Sequence, residues 1–376
     1  MKPDIRLPTI AVLMGPNGSG KTTLLRALTT MANVASLPSR SDDANAFIDA
    51  VVPFASESTI GDATRFCLDV EADWLALDET PQLFRYELAL RRDRRDQNSP
   101  VFSYEALSHF PRGRSRRLFE RESAEAPVRV SREISGALGF DSRAGRIGAI
   151  RDDAPVIGTL AMLKVPLATR IADWLQSLAV VSNVSIVKTL ALPTKNVVDI
   201  LASNSELRAW ASKHLESSDL GIQGVEVRER TVTDPEDWLT VWFNHREPVA
   251  ALPLMVQSGG TQRLFHLLPQ LYVALEKGLP AALDEIDADL HVDIVGDMLG
   301  WFRSRETNPR NAQLLVTSHN VGLLDDMEKE ELFVVEKTRR GETKVHGAQD
   351  VRGLRRDTRL YPKYRAGVLG GIPKVG

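Results

Sequence analysis

Several things are scarce in this sequence, and each shortage excludes a class. Cys67 is the only cysteine, so neither an intramolecular disulfide nor a cysteine-rich zinc cage can form. No apolar run approaches the roughly 20 residues that span a bilayer, and Met1–Pro8 lacks the apolar core of a secretion signal. Those absences predict a cytoplasmic protein without a membrane partner. Neither sign of charge dominates: 47 Lys and Arg face 50 Asp and Glu, a net −3, which argues against a chain basic throughout and built to coat nucleic acid. No heptad persists over three repeats, so a long coiled-coil arm is not expected. Against these shortages stand 376 residues, 43% hydrophobic and 26% charged, enough for two or three packed lobes and incompatible with a disordered chain.

Along the chain, Ile10–Met14 (IAVLM) is a continuous apolar run ended by Gly15, the pattern of a buried parallel strand. A glycine-rich loop follows, then Leu24, Leu25, Ala27 and Leu28 at helical spacing. From about Phe47 to Val130 the pattern alternates: Phe66–Val70, Leu83–Leu90, Val101–Leu107 and Arg117–Phe119 predict an antiparallel lobe. Residues 156–218 read as helices, with Ile171, Trp174, Leu175 and Leu178 at spacings of three and four, interrupted by Pro166 and Pro193. Strand-like text returns at Gly221–Val241, followed by a helix over Thr261–Lys277. Strands at Pro280–Leu283 and Gln313–Thr317 flank a helix at Val292–Phe302, and this βαβ unit returns the last third of the chain to the sheet begun at Ile10. Leu332–Val335 predicts one more strand.

Four segments carry chemistry. Gly15, Pro16, Asn17, Gly18, Ser19, Gly20, Lys21 and Thr22, followed by Thr23, match the phosphate loop G-x-x-x-x-G-K-[ST]. Its backbone N–H groups can curl around phosphates, Lys21 can reach the terminal ones, and the Thr22 hydroxyl can coordinate Mg²⁺. Ala281-Ala-Leu-Asp284-Glu285 ends an apolar strand in two carboxylates; Asp284 suits the water shell of Mg²⁺, and Glu285 can polarise an attacking water. Gln313–Asn320 ends a second strand in His319, 34 residues after Glu285, and catalytic groups gather at the carboxyl ends of such strands. Ser258-Gly259-Gly260-Thr261-Gln262 opens a helix, where N–H donors and the dipole favour an anion, although a plain N-cap turn gives the same text.

The order of these segments resembles ATP-binding-cassette heads, and in particular the ABC-like AAA ATPases of the RecF, SMC and OLD branch. More closely it resembles the stand-alone AAA proteins of abortive-infection phage-defence operons. Supporting text includes Phe84-Arg-Tyr-Glu-Leu, Leu118-Phe-Glu-Arg121, Asp219-Leu-Gly-Ile222, Ser258-Gly-Gly-Thr-Gln-Arg263, Asp284-Glu-Ile-Asp-Ala-Asp-Leu-His291, Thr317-Ser-His-Asn320 and Tyr364–Pro373. The resemblance implies an α/β, ABC-type P-loop ATPase head, a parallel-sheet core plus antiparallel lobe, with an inserted helical lobe. Its expected parts are 1–150 with the phosphate loop and antiparallel lobe, a helical insertion at 151–218, and 219–376 with signature, Walker B, D-loop and switch histidine.

Implied ligands are ATP and Mg²⁺. ATP would be held by residues 15–23 and by Ser258, Gly259 and Gly260, the metal by Thr22 and Asp284, with Glu285 and His319 catalytic. The resemblance also implies a homodimer or higher homo-oligomer in which the signature of one copy completes the ATP site of the other, Ala288–His291 forming the D-loop at the seam. Two features depart from the pattern. The 14 residues before Gly15 include no aromatic to stack on adenine, and Asp289 and Val292 stand where the family tends to carry Ser and then Pro.

Five arginines (Arg112, Arg114, Arg116, Arg117, Arg121) face only Glu120 between 111 and 121, and seven Lys or Arg follow Asp350. Both patches fit either phosphate-backbone contact or an ordinary solvated face. Trp174, Trp210, Trp238, Trp242 and Trp301 read as core fillers, and Cys67 as buried packing. Only 57 residues follow His319, without the carboxylate cluster of a two-metal nuclease, so any nuclease or toxin activity is expected in a separate effector bound in trans.

Overall fold

The computed structural model describes residues 7–36, 63–73, 81–92, 100–123, 126–132, 146–147, 150–151, 153–180, 194–218, 221–229, 239–246 and 250–372. The chain forms two compact units, one of Met1–Arg26 with Val180–Gly376 and one of Ala27–Ala179. It begins with β1 (Ile10–Met14), buried at all five positions as the unbroken apolar run requires, and α1 (Lys21–Ser36), which starts in the first unit and continues into the second.

The second unit is built on an antiparallel sheet in sequence order: β2 (Thr64–Ala72), β3 (Gln82–Arg92), β4 (Pro100–His109), β5 (Arg116–Arg121), β6 (Val128–Val130) and β7 (Arg146–Ile147). Phe84, Tyr86, Leu88 and Leu90, two apart along β3, are all buried, the period-two face that the alternating text predicts. On the edge strand β2 the same parity works against Cys67. It shares its face with Arg65 and is exposed, so the expectation of a buried cysteine is corrected.

Two helices follow, α2 (Val156–Met162) and α3 (Pro166–Val180). A buried carboxylate ties α2 to the sheet: Glu105 on β4 accepts from Val156 N (2.7 Å), Ile157 N (3.2 Å), Tyr86 Oη (2.9 Å) and Arg121 Nη2 (3.1 Å). Arg121 also donates to Ala154 O at 2.9 Å and places its guanidinium over the Phe102 ring. Both charged side chains are fully buried, a state tolerated only because each is paired and hydrogen-bonded. This removes Arg121 from the expected basic surface. Arg117 is bound to Glu87 and Glu120, which neutralises a second member of that run.

The first unit resumes with α4 (Thr194–Ser203) and α5 (Ser205–Ser217), the latter capped by Asn204, whose side chain accepts from Leu207 N. The helices expected within 151–218 are therefore divided: α2 and all but the last residue of α3 lie in one unit, α4 and α5 in the other. The reason lies in their apolar faces, since Val197, Val198, Leu201, Leu207, Ala211 and Leu215 join the core around β1. Pro193 lies outside the described residues. Next come β8 (Ile222–Glu229), β9 (Leu239–His245) and β10 (Leu252–Pro253), a small antiparallel sheet, then α6 (Gly259–Lys277).

The remaining elements are β11 (Ala281–Leu283), α7 (Val292–Arg303), β12 (Leu314–Ser318), β13 (Leu332–Lys337), β14 (Thr343–Gly347) and α8 (Leu360–Arg365). They complete a five-stranded sheet of order β11-β12-β1-β13-β14, parallel except for β14. The first strand of the chain is thus its centre, paired Ile10 to Leu314 and Met14 to Val334. The expected βαβ return is present, and the architecture is α/β with a parallel-sheet core, antiparallel sheets and helices.

The tryptophans are rim residues rather than core fillers. Trp174, Trp210, Trp242 and Trp301 are half-buried, and Trp238 lies outside the described residues. Trp242 carries the Arg228 guanidinium 4.7 Å above its ring. Trp210 and Trp301 sandwich His214, with ring centroids 4.2 and 4.0 Å away. Burial, reinforced by Lys213, pushes the His214 pKa down to about 4, so the ring is neutral at pH 7.

Two stability outcomes follow from these burials. Arg121→Met leaves Glu105 buried without its cation and is expected to cost about 3–5 kcal/mol, whereas Arg117→Met, at a partly exposed pair, costs under about 1 kcal/mol. Urea unfolding followed by circular dichroism separates the two. For His214 the folded pKa lies below the unfolded one, so the unfolded chain binds the proton first and stability falls as pH drops from 6.5 towards about 4. Replacing His214 with Phe should flatten that slope, a difference on the order of 1–3 kcal/mol across the window in unfolding titrations.

Candidate nucleotide site

The phosphate loop begins where β1 runs out between its two neighbours. A Cβ on Gly15 would stand 2.0 Å from Val335 O on β13, so the loop leaves the sheet through a gap only glycine fits. Gly18 and Gly20 take left-handed φ values of 74° and 107°, which turn the backbone back towards α1. Lys21, the first residue of α1, is buried, and its Nζ donates to Gly15 O (2.9 Å) and Pro16 O (3.1 Å). Burial lowers its pKa, while Asp284, Glu285 and Asp287 act in the opposite direction. Ser19 Oγ is buried with no hydrogen-bond partner, and Thr343 from β14 donates to Ser19 O at 2.9 Å.

The carboxyl ends of β11 and β12 lie beside this loop. Thr22 Oγ1 donates to Asp284 Oδ1 at 3.1 Å, and Thr317 Oγ1 donates to the same oxygen at 2.6 Å. Thr317 Oγ1 in turn accepts from Glu285 N at 2.8 Å. Glu285 is exposed and sits at φ 48°, an uncommon conformation for a residue with a Cβ. Its peptide is held from below by Arg263, whose Nη2 lies 3.2 Å from both Asp284 O and Glu285 O. His319 is exposed, and its backbone N donates to the Asp287 carboxylate at 3.3 Å.

The Ser258 segment serves as a helix cap. Ser258 Oγ accepts from Thr261 N at 3.1 Å, as in the plain N-cap reading. Gly259 is exposed at the start of α6, and Gly260 packs so tightly on Asp289 O that a Cβ would stand 2.5 Å away. The signature and the Ala288–His291 segment therefore touch within one chain. Thr23 is exposed in the first turn of α1.

Four participants escaped the sequence reading: Thr317, Arg263, Asp287 and Thr343. Thr317 and Arg263 lay inside motif text whose neighbours drew attention instead, and nothing in the pattern singled out Thr343, which arrives from another strand.

The donor set suits a magnesium nucleotide. A hydroxyl and a carboxylate 3.1 Å apart are hard oxygen ligands of the kind that complete a Mg²⁺ shell otherwise made of phosphates and water. Consistent with so sparse a protein contribution, no group of three or more His, Cys, Asp or Glu among the described residues could hold a metal by itself. The partnerless Ser19 hydroxyl and the glycine-lined turn are the matching features for phosphate.

A family model described as AAA domain, putative AbiEii toxin, Type IV TA system matches residues 10–144 and 173–325. The chain belongs to this AAA family. The resemblance to ABC-like AAA ATPases read from the motifs holds at that level. No curated protein matches the chain. Among solved structures, the AAA chain is similar to an SMC head bound to the C-winged helix domain of ScpA, at 14% identity over 90% of this chain and 91% of that one, with a TM-score of 0.47. It is also similar to the SMC head domain from Thermotoga maritima, at 12% identity over 90% and 89%, with a TM-score of 0.38.

If Thr22 and Asp284 share the metal, Thr22→Val and Asp284→Asn should each raise the Mg²⁺ concentration needed to support nucleotide binding by about tenfold or more. A Mg²⁺ titration with fluorescent ATP reads this directly; an unchanged midpoint in both variants contradicts the assignment.

Proposed function

We propose that this AAA protein is a Mg²⁺-dependent ATP hydrolase that pairs with a second copy on binding ATP and so gates an effector, in a phage-defence setting of the abortive-infection kind. The observation that carries the ATPase part is the convergence of Thr22, Asp284 and Thr317 beside Lys21, three strand ends joined through one carboxylate oxygen. Mg²⁺ held by Thr22 and Asp284 would neutralise charge on the phosphates. Lys21 adds a fixed cation beside the loop, Glu285 orients and deprotonates water from an exposed position, and His319 lies at the neighbouring strand end to stabilise the transferring group.

Pairing is supported by the exposure of Ser258 and Gly259, and by two large apolar side chains just before them, Met255 (81% exposed) and Val256 (58%). The defence setting leans on the family's description, which names a putative toxin and a toxin–antitoxin system. A DNA-maintenance ATPase is the second reading. In its favour are six exposed cations around α8, Arg352, Arg355, Arg356, Arg359, Lys363 and Arg365, although Arg356 is paired with Glu328. Strong stimulation of turnover by DNA would select it.

The ATPase reading is tested by variants of single side chains. Lys21→Ala should abolish ATP binding, and unchanged hydrolysis in the folded variant would end the reading. Glu285→Gln should keep binding, reduce turnover by about a hundredfold or more, and accumulate ATP-bound dimers in gel filtration. Adding Ser258→Arg should return those dimers to monomer. A Glu285→Gln protein that binds ATP yet stays monomeric would contradict pairing.

A further inference from the structure

The segment Leu360–Ile372 reaches the candidate site at two places. Helix α8 packs against the turn Val321–Asp325, which directly follows His319 and Asn320. Beyond α8 the backbone reverses through Gly367, Gly370 and Gly371, all left-handed at φ 77°, 77° and 69°. That turn arrives beside the first glycine of the phosphate loop: a Cβ on Gly371 would stand 3.8 Å from Gly15 Cα and 2.6 Å from a Val334 methyl.

The approach is held firmly. Tyr364 Oη donates to Gly371 O at 2.8 Å in a buried bond, and His346 Nε2 on β14 lies 3.0 Å from Leu369 O. Leu360, Tyr364 and Leu369 are buried members of the core around β1. On its other side Gly15 meets Val335 O, so it is pinned between β13 and the turn, and its own carbonyl accepts from Lys21 Nζ.

We propose that Tyr364 and Gly371 are positioning residues of the nucleotide site. The turn they form sets Gly15, and through the Gly15 carbonyl the direction of Lys21, while α8 steadies the turn that follows His319. A glycine is required at 371 on two grounds, the left-handed φ and the absence of space for a side chain between Val334 and Gly15. The consequence for ATP rests on the ATPase reading; the positioning itself does not, and a nucleotide-free measurement addresses it.

The experiment compares the full-length wild type with Gly371→Val, Tyr364→Phe and, as a control in the same segment, Val368→Ser, whose side chain is 49% exposed. Hydrogen–deuterium exchange is followed without nucleotide, and ATP binding by calorimetry. Gly371→Val should speed exchange in peptides covering 14–22 and 319–325 while leaving β11 and α6 at wild-type rates, and should raise the Kd for ATP about tenfold. Tyr364→Phe keeps the ring and loses only one hydrogen bond, so it should give the same pattern with a Kd change of about threefold, and it serves if Gly371→Val does not fold. Val368→Ser should change neither readout.

Exchange at wild-type rates in the two peptides, or exchange that rises equally over the whole first unit, overturns the proposal. Local exchange changes in a chain whose wild type binds no ATP would support the positioning and sink the ATPase reading instead.

Discussion

One carboxylate oxygen holds the candidate site together. Asp284 Oδ1 accepts from Thr22 and from Thr317, so the residues after β1, β11 and β12 meet at a single atom. Neither threonine could arrive there without the strand order β11-β12-β1, which sets the carboxyl ends of three parallel strands side by side. An ionised acceptor makes these bonds stronger than neutral ones, and the hydroxyls also keep a partly buried charge solvated by protein rather than water. The loop, the acidic strand end and the histidine strand end are consequently one rigid corner rather than three separate motifs.

That corner contains backbone a residue with a Cβ resists. Glu285 and Asp289 both take left-handed φ, at 48° and 60°, a state that costs of order 1–3 kcal/mol at such positions. Contacts on either side of the segment offset it: Arg263 grips the carbonyls of 284 and 285, Thr317 receives Glu285 N, and Gly260 presses on Asp289 O. Two of these three contacts come from α6, the helix that Ser258 caps. The conformation of the segment bearing Glu285 is therefore set by the same helix whose first turn carries the proposed signature, and any shift of that turn reaches the carboxylate through backbone hydrogen bonds.

What could be read beforehand followed from how local the determinants are. The phosphate loop is continuous in sequence and flanked by its own strand and helix, so Gly15 to Thr22 were legible with the strand pairing unseen. The alternating lobe and the βαβ return were legible because period two and period 3.6 survive in the text. Arg121 was not, since a run of arginines looks the same whether its last member meets water or a buried Glu105 on another strand. Cys67 turned on the parity of one edge strand, and a shift of one residue exchanges the two faces. Trp210 and Trp301 were read as core because aromatic size predicts burial, yet they form the rim around His214. Thr343 and Gly371 act through contacts with Ser19 and Gly15 at the opposite end of the chain, for which no local pattern exists.

The same distance between partners shapes how the site can assemble. The chain leaves the site-bearing unit after Arg26 and returns at Val180, and closing so long an excursion costs little more than closing a shorter one, because loop entropy grows only with the logarithm of length. The demand falls instead on order of formation. β1 has no partner among nearby strands; it pairs only with β12 and β13, which close the sheet from the far end of the sequence. Until those strands exist, the five buried side chains of Ile10–Met14 have no sheet to enter, and the glycine loop that follows has no Val335 carbonyl to abut. The phosphate loop is thus the most local feature of the sequence and among the last to acquire its geometry, which makes its shape a report on the completion of the whole parallel sheet.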